Sequence, residues 1–174
     1  MNEEARPWNA RKILTDLCEK DRRIEVLTAF WKNGDQQTRA VTASLLATAL
    51  RFRQESIRKA SPAKKAELLA SRMTQPELEE ALEVALMVYH TTKAKALMSS
   101  LLDHWEIPHV EGSIEADDYK APSLQQVRDA VSAVRDEFPQ ADIVLYLATA
   151  GLLMGASQPP WREATWPVVD ELVG

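Results

Sequence analysis

Two of the three histidines in this 174-residue chain lie within one short acidic stretch, and that stretch is where chemistry is first to be sought. His104 and His109 flank Trp105-Glu106-Ile107-Pro108, with Asp103 and Glu111 beside them and Asp117-Asp118 further along. Imidazole and carboxylate are ligands that divalent metals accept. The grouping would suit a metal-dependent or acid/base enzyme using His104, Glu106, His109, Glu111, Asp117 and Asp118. His90, on a helix face shared with Glu79 and Glu83, would be the third imidazole. Against this, Pro108 interrupts the helical register that would turn both rings to one side. The plainer reading is a solvated acidic loop, with His90 an exposed histidine on a charged face and no metal or other cofactor expected.

A second constellation is cationic. Arg51, Arg53, Arg58, Lys59, Lys64, Lys65 and Arg72 crowd one helix junction around Phe52, the mixture of charge and aromatic ring that single-stranded nucleic acid favours. No groove-reading motif accompanies the charge, and its plain alternative is a solvated face whose arginines pair with Glu55, Glu67 or the acidic part of the chain. Tryptophan supplies the third feature: of five, Trp105, Trp161 and Trp166 stand near loops or helix ends. Aromatic rings there either anchor a partner or cover helix ends.

Other chemistries find no support. Five scattered glycines cannot form a phosphate-cradling loop, and no serine stands in a G-x-S-x-G setting. Cys18 lies at an apolar helical position beside Leu14 and Leu17, where a thiol behaves as a small hydrophobe. A lone cysteine suits a reducing compartment and the N-terminus has no secretory pattern, so a cytoplasmic location is expected. The most apolar run, Ile143 to Ala156, is shorter than the roughly 20 residues of a membrane-spanning helix.

The elements that must position these residues read as helices throughout, since no segment shows the sustained alternation of a strand. Asn9 caps a first helix, stapled by Trp8 and Ile13. Its stripe of Ile13, Leu17, Ile24, Leu27 and Trp31 could hide a break within Glu19 to Arg23. Gly34-Asp35 ends that element and caps the next, whose segment Ala40 to Leu50 is apolar or small on every face and should be central. Ser61-Pro62 starts a helix over 63–72, and Met73-Thr74 with Glu77 and Leu78 gives a capping box and staple for a longer one. After the irregular, acidic connection 106–122, Ser123 and Gln126 form another capping box. Pro139 leads into an apolar helix whose Gly151 and Gly155 would admit the small face Ala40, Ala43 and Ala47. Thr165-Trp166-Pro167 reads as the cap of a last short helix.

One domain over residues 1–174 follows, all-α, with six or seven helices bundled in two layers. An echo of Leu46-Ala47-Thr48-Ala49 in Leu147-Ala148-Thr149-Ala150 hints at a short helical-repeat arrangement. Charge is unevenly placed: residues 1–102 carry 17 Lys/Arg against 13 Asp/Glu, and residues 103–174 carry 4 against 13. Net charge is -5, which argues against a dedicated nucleic-acid binder. The leading expectation is a helical protein-interaction module without catalysis, binding another protein or a second copy of itself, with no membrane contact. Its candidate surface is Trp105, Glu106, His109, Glu111, Asp117 and Asp118 together with Arg51, Arg53, Arg58 and Lys59. Metal-dependent catalysis at the histidine loop and anion or nucleic-acid binding at the basic 51–65 junction are the alternatives.

Overall fold

A computed structural model describes residues 7–174 and is all-helical over them, with ten α-helices and one 3-10 turn. The described residues divide into two compact units, Ala10–Lys93 and Ala94–Gly174 together with residues 7–9. Among the described residues no helix is long and apolar enough to cross a membrane.

The N-terminal unit contains α1 (Ala10–Asp16), α2 (Lys20–Asn33), α3 (Gln36–Leu50), α4 (Gln54–Lys59), α5 (Pro62–Arg72) and, after a 3-10 turn at Pro76–Leu78, α6 (Glu79–Thr92). Several starts are where their caps predict. Asp35 accepts a hydrogen bond from the Thr38 amide, and Ser61 accepts one from the Lys64 amide ahead of Pro62. The first helix begins directly after Asn9, but the stripe from Ile13 to Trp31 is split between α1 and α2 by Leu17-Cys18-Glu19. Arg23 explains the split: its guanidinium donates to the carbonyls of Leu14, Thr15 and Cys18 and so satisfies the end of α1 from within α2. The box predicted at Thr74 does not start a helix. Pro76 opens a tight turn first, and α6 begins at Glu79, where Leu78, Leu82, Ala85 and Tyr89 form the expected buried stripe.

α2 lies against α5 and α6, α1 against α6, and α3 against α4 and α5. The segment expected to be central is not: α3 buries only Thr42, Ala43, Leu46 and Ala47, leaving Val41 half exposed. Small residues satisfy a helix by propensity alone, so apolar or small on every face did not require neighbours on every face.

The C-terminal unit holds α7 (Lys95–His104), α8 (Leu124–Val134), α9 (Gln140–Leu153) and α10 (Pro160–Val173). Thr91 and Thr92 precede α7 and turn their hydroxyls onto the Met87 and Val88 carbonyls. Such local bonding competes with helix continuation, and α6 ends there. Ser123 and Gln126 form both halves of the predicted capping box on α8. α9 is enclosed on all sides from Ile143 to Leu152, as its sequence demanded. Its close neighbour is α10: a Cβ on Gly151 would overlap the Trp166 indole nitrogen and the Thr165 hydroxyl, so α10 takes the approach predicted for the Ala40, Ala43 and Ala47 face.

α10 also passes straight through Thr165-Trp166-Pro167 instead of starting there. Thr165 returns its hydroxyl to the Trp161 carbonyl, and Pro167 leaves only the carbonyl of exposed Glu163 without its helical donor. The repeat echo has no structural counterpart, because Thr48 is exposed on α3 whereas Leu147 to Ala150 are all buried on α9. The six or seven expected helices become ten, since two predicted helices each break once and α4 forms at the junction between α3 and α5.

Candidate functional site

The acidic connection is built, not slack. α7 ends in a Schellman motif: the Ile107 amide donates to the Leu102 carbonyl, the Glu106 amide to the Asp103 carbonyl, and Glu106 takes the left-handed conformation at φ 55°. Buried Leu102 and Ile107 supply the apolar contact that accompanies such an ending. Four residues on, Val110 and Ser113 exchange both backbone hydrogen bonds at 2.9 Å around Glu111 (φ 50°) and Gly112 (φ 86°). Two positive φ angles between paired residues make this a type I′ turn.

His109 fastens that turn to α7. Its Nδ1 accepts the Gly112 amide at 2.9 Å, so Nε2 carries the hydrogen and donates to Asp103 Oδ1, also at 2.9 Å. Glu111 pairs with Lys95 at 3.6 Å across solvent. Further along, Tyr119 rests edge-on against Trp161 at 6.2 Å. On this frame Glu106, Glu111, Glu115, Asp117 and Asp118 are all exposed.

Trp105 does not join them. It is 4% exposed, edge-on to Trp161 at 5.7 Å and stacked with Tyr146 at 6.4 Å, so it belongs to the core of its unit and not to an outer surface. Trp161 and Trp166 are buried as well, so none of the three tryptophans forms an outer surface. Burial pushes the Tyr146 phenol upward beside them.

The histidines are not brought together as a ligand set. His104 Nδ1 bonds the Ser100 carbonyl of its own helix at 2.8 Å, and both His109 nitrogens are engaged. His90, expected on an exposed charged face, is 3% exposed, with Nδ1 on the Leu86 carbonyl at 2.9 Å. Burial lowers its pKa to about 4, opposed by that backbone bond and reinforced by the charge of Arg22. Glu79 caps α1 by accepting the Ala10 amide at 2.6 Å, while Glu83 is raised by burial and by Glu79 and Glu80. Among the described residues no group of three or more His, Cys, Asp or Glu is arranged to hold a metal ion.

The basic junction separates into three populations. Arg51, Phe52 and Arg53 are exposed where α3 ends, Arg51 sitting at φ 56° in a second Schellman motif closed by the Phe52 amide on the Ala47 carbonyl. Lys59 and Lys64 are committed to Glu55 and Glu67 at 3.0 and 3.3 Å. Arg58 and Lys65 instead line a pocket with Arg39 and Trp31, two residues that no sequence spacing connects to them. Burial and then the charges of Arg39 and Arg58 lower the Lys65 pKa.

Set against protein-family models, curated proteins and solved structures, the chain matches none of them.

Proposed function

We propose that the chain is a helical protein-interaction module without catalysis, which recognises a partner by presenting charged side chains on rigid backbone turns. The observation that carries this reading is conformational. Among the described residues the non-glycine positions with positive φ are Arg51, Glu106 and Glu111, and all three are charged and exposed. A left-handed residue with a Cβ costs roughly 1 kcal/mol against glycine, and the two Schellman positions and the type I′ turn are the places where glycine is the ordinary choice. Side chains kept at that cost on the surface point to a task outside the fold. In the C-terminal unit the exposed acids surround two of these positions, so the partner there is a segment rich in lysine and arginine. A lone, buried Cys18 with no second cysteine to bridge accords with a cytoplasmic setting.

Selection of displayed peptides against wild-type protein and against the Glu106→Gly, Glu111→Gly variant tests the reading. Wild type should enrich Lys/Arg-rich peptides whose binding fades as salt rises, and the variant should lose them while melting at a higher temperature. Enrichment of uncharged peptides, or equal binding by the variant, would remove the basis for it. Sedimentation at low and high salt separates the other occupant, a second copy of the chain.

A further inference from the structure

Within the N-terminal unit three cations from three helices face one cavity of about 290 Å³: Arg39 of α3, Arg58 of α4 and Lys65 of α5, against a wall of Trp31, Ala40 and Ala43. No carboxylate lines it. The nearby acids Glu55 and Glu67 are taken up by Lys59 and Lys64. Like charges brought together without a counter-charge repel, and folded chains ordinarily answer them with an acid or leave them dispersed in water.

The hydrogen-bond donors are unanswered in the same place. Arg39 is held by Nη1 donating to the Trp31 carbonyl at 3.1 Å, yet its Nε is buried without a hydrogen-bond partner. Trp31 is 4% exposed, and its indole Nε1, a group that can only donate, is also buried without one. Buried donors are nearly always satisfied in native proteins, and although the Trp8, Trp105 and Trp161 indoles are also without a partner, here the unanswered donors coincide with three converging cations. Lys65 is drawn in from the opposite side, its Nζ lying 5.3 Å from the centre of the Trp31 ring.

We propose that this cavity is a binding site for a phosphate group, either free or as the monoester of a small organic molecule. A planar guanidinium offers paired N–H groups to adjacent phosphate oxygens, and the ammonium supplies single donors from another direction. The cavity accommodates a tetrahedral anion and a modest organic part, for which the Trp31 and alanine wall is the apolar side. This site is separate from the acidic surface assigned to a protein partner and stands or falls without it.

The test is to follow the Trp31 indole N–H resonance of the full chain by NMR, assigned with Trp31→Phe, during titration with inorganic phosphate and with phenyl phosphate. Sodium chloride at matched ionic strength is the control. A saturable shift with either phosphate is expected, weakened about tenfold by Arg58→Gln, which removes one charge-assisted donor from an exposed side chain, and abolished by Arg58→Gln with Lys65→Gln. Tighter phenyl phosphate indicates a monoester ligand and equal affinity indicates the bare anion, both within the proposal. An identical shift with chloride, or an unaltered titration in Arg58→Gln, would overturn it. So would a single-stranded oligonucleotide moving the resonance when neither phosphate does, which would turn the junction into a nucleic-acid surface.

Discussion

The two units carry opposite excesses of charge. Ala10–Lys93 carries 15 Lys/Arg against 11 Asp/Glu and brings three cations to one cavity that no carboxylate lines. Ala94–Gly174 carries 5 against 13; within it His109 is answered by Gly112 and Asp103, Ser123 by Gln126 and Arg128 by Glu171, while the Trp105 and Trp161 indole nitrogens are buried without a partner. Much of its acidic charge is held outward on the 106–122 frame, where Glu106, Glu115, Asp117 and Asp118 are exposed and Glu111 pairs with Lys95. The cores differ as well. The N-terminal unit buries mostly aliphatic side chains together with the pairs Phe30–Trp31 and Tyr89–His90, whereas the C-terminal unit gathers Trp105, Tyr146 and Trp161. On the two proposals above, the first unit receives an acceptor and the second displays one.

The sharpest way to break this contrast is Trp161→Ala, which empties the aromatic centre of the C-terminal unit. A loss of about 4 kcal/mol is expected in urea unfolding. Two resolved transitions with only one displaced would mark the units as separately cooperative; one transition moving bodily would show that they unfold together.

Acid should act on the other unit. Unfolded His90 takes up its proton near 6.5 and the folded residue only near 4, so between these values the unfolded chain alone gains it. The stability tied to His90 is therefore whole above about pH 6.5 and falls as pH drops toward 4, by about 3 kcal/mol in all. His90→Gln should flatten that slope in melts recorded from pH 7 to 4, and an unchanged slope would assign the acid sensitivity elsewhere.

Gly151→Ala sets a methyl group against Trp166 and Thr165 and should cost about 2 kcal/mol in the same urea assay. A neutral result would mean that α10 can move away from α9. Smaller again, Ser123→Ala removes the cap that anchors the far end of the acidic segment, for about 1 kcal/mol. Faster hydrogen exchange at the Gln126 amide, with the N-terminal unit unaltered, is the expected signature.

How far the sequence carried can be seen residue by residue. Asp35, Ser61 and Ser123 were legible as caps because a cap is a bond between a side chain and an amide two or three residues away. Thr74 carried the same signature and failed, since Pro76 imposed its own turn before the helix could start. The break after Asp16 was misplaced because the group that satisfies it, Arg23, comes from the following helix. Trp105 and His90 were read as exposed from their polar neighbours in the chain, but exposure depends on what packs above a residue. Of the candidate surface, Glu106, Glu111, Asp117, Asp118, Arg51 and Arg53 do lie exposed, while Arg58 turns toward a cavity that it shares with residues outside that set.

By itself, then, the sequence determined the all-helical class, most capped helix starts, the enclosure of α9 and the uneven charge. Each of these follows from local periodicity, short-range hydrogen bonding or composition. Only the tertiary structure decided that Trp105 and His90 are core residues, that Gly151 meets α10, and that Arg39, Arg58 and Lys65 converge on Trp31. These are contacts between residues distant in the chain, and their energies arise from burial and Coulomb interactions that no local pattern records.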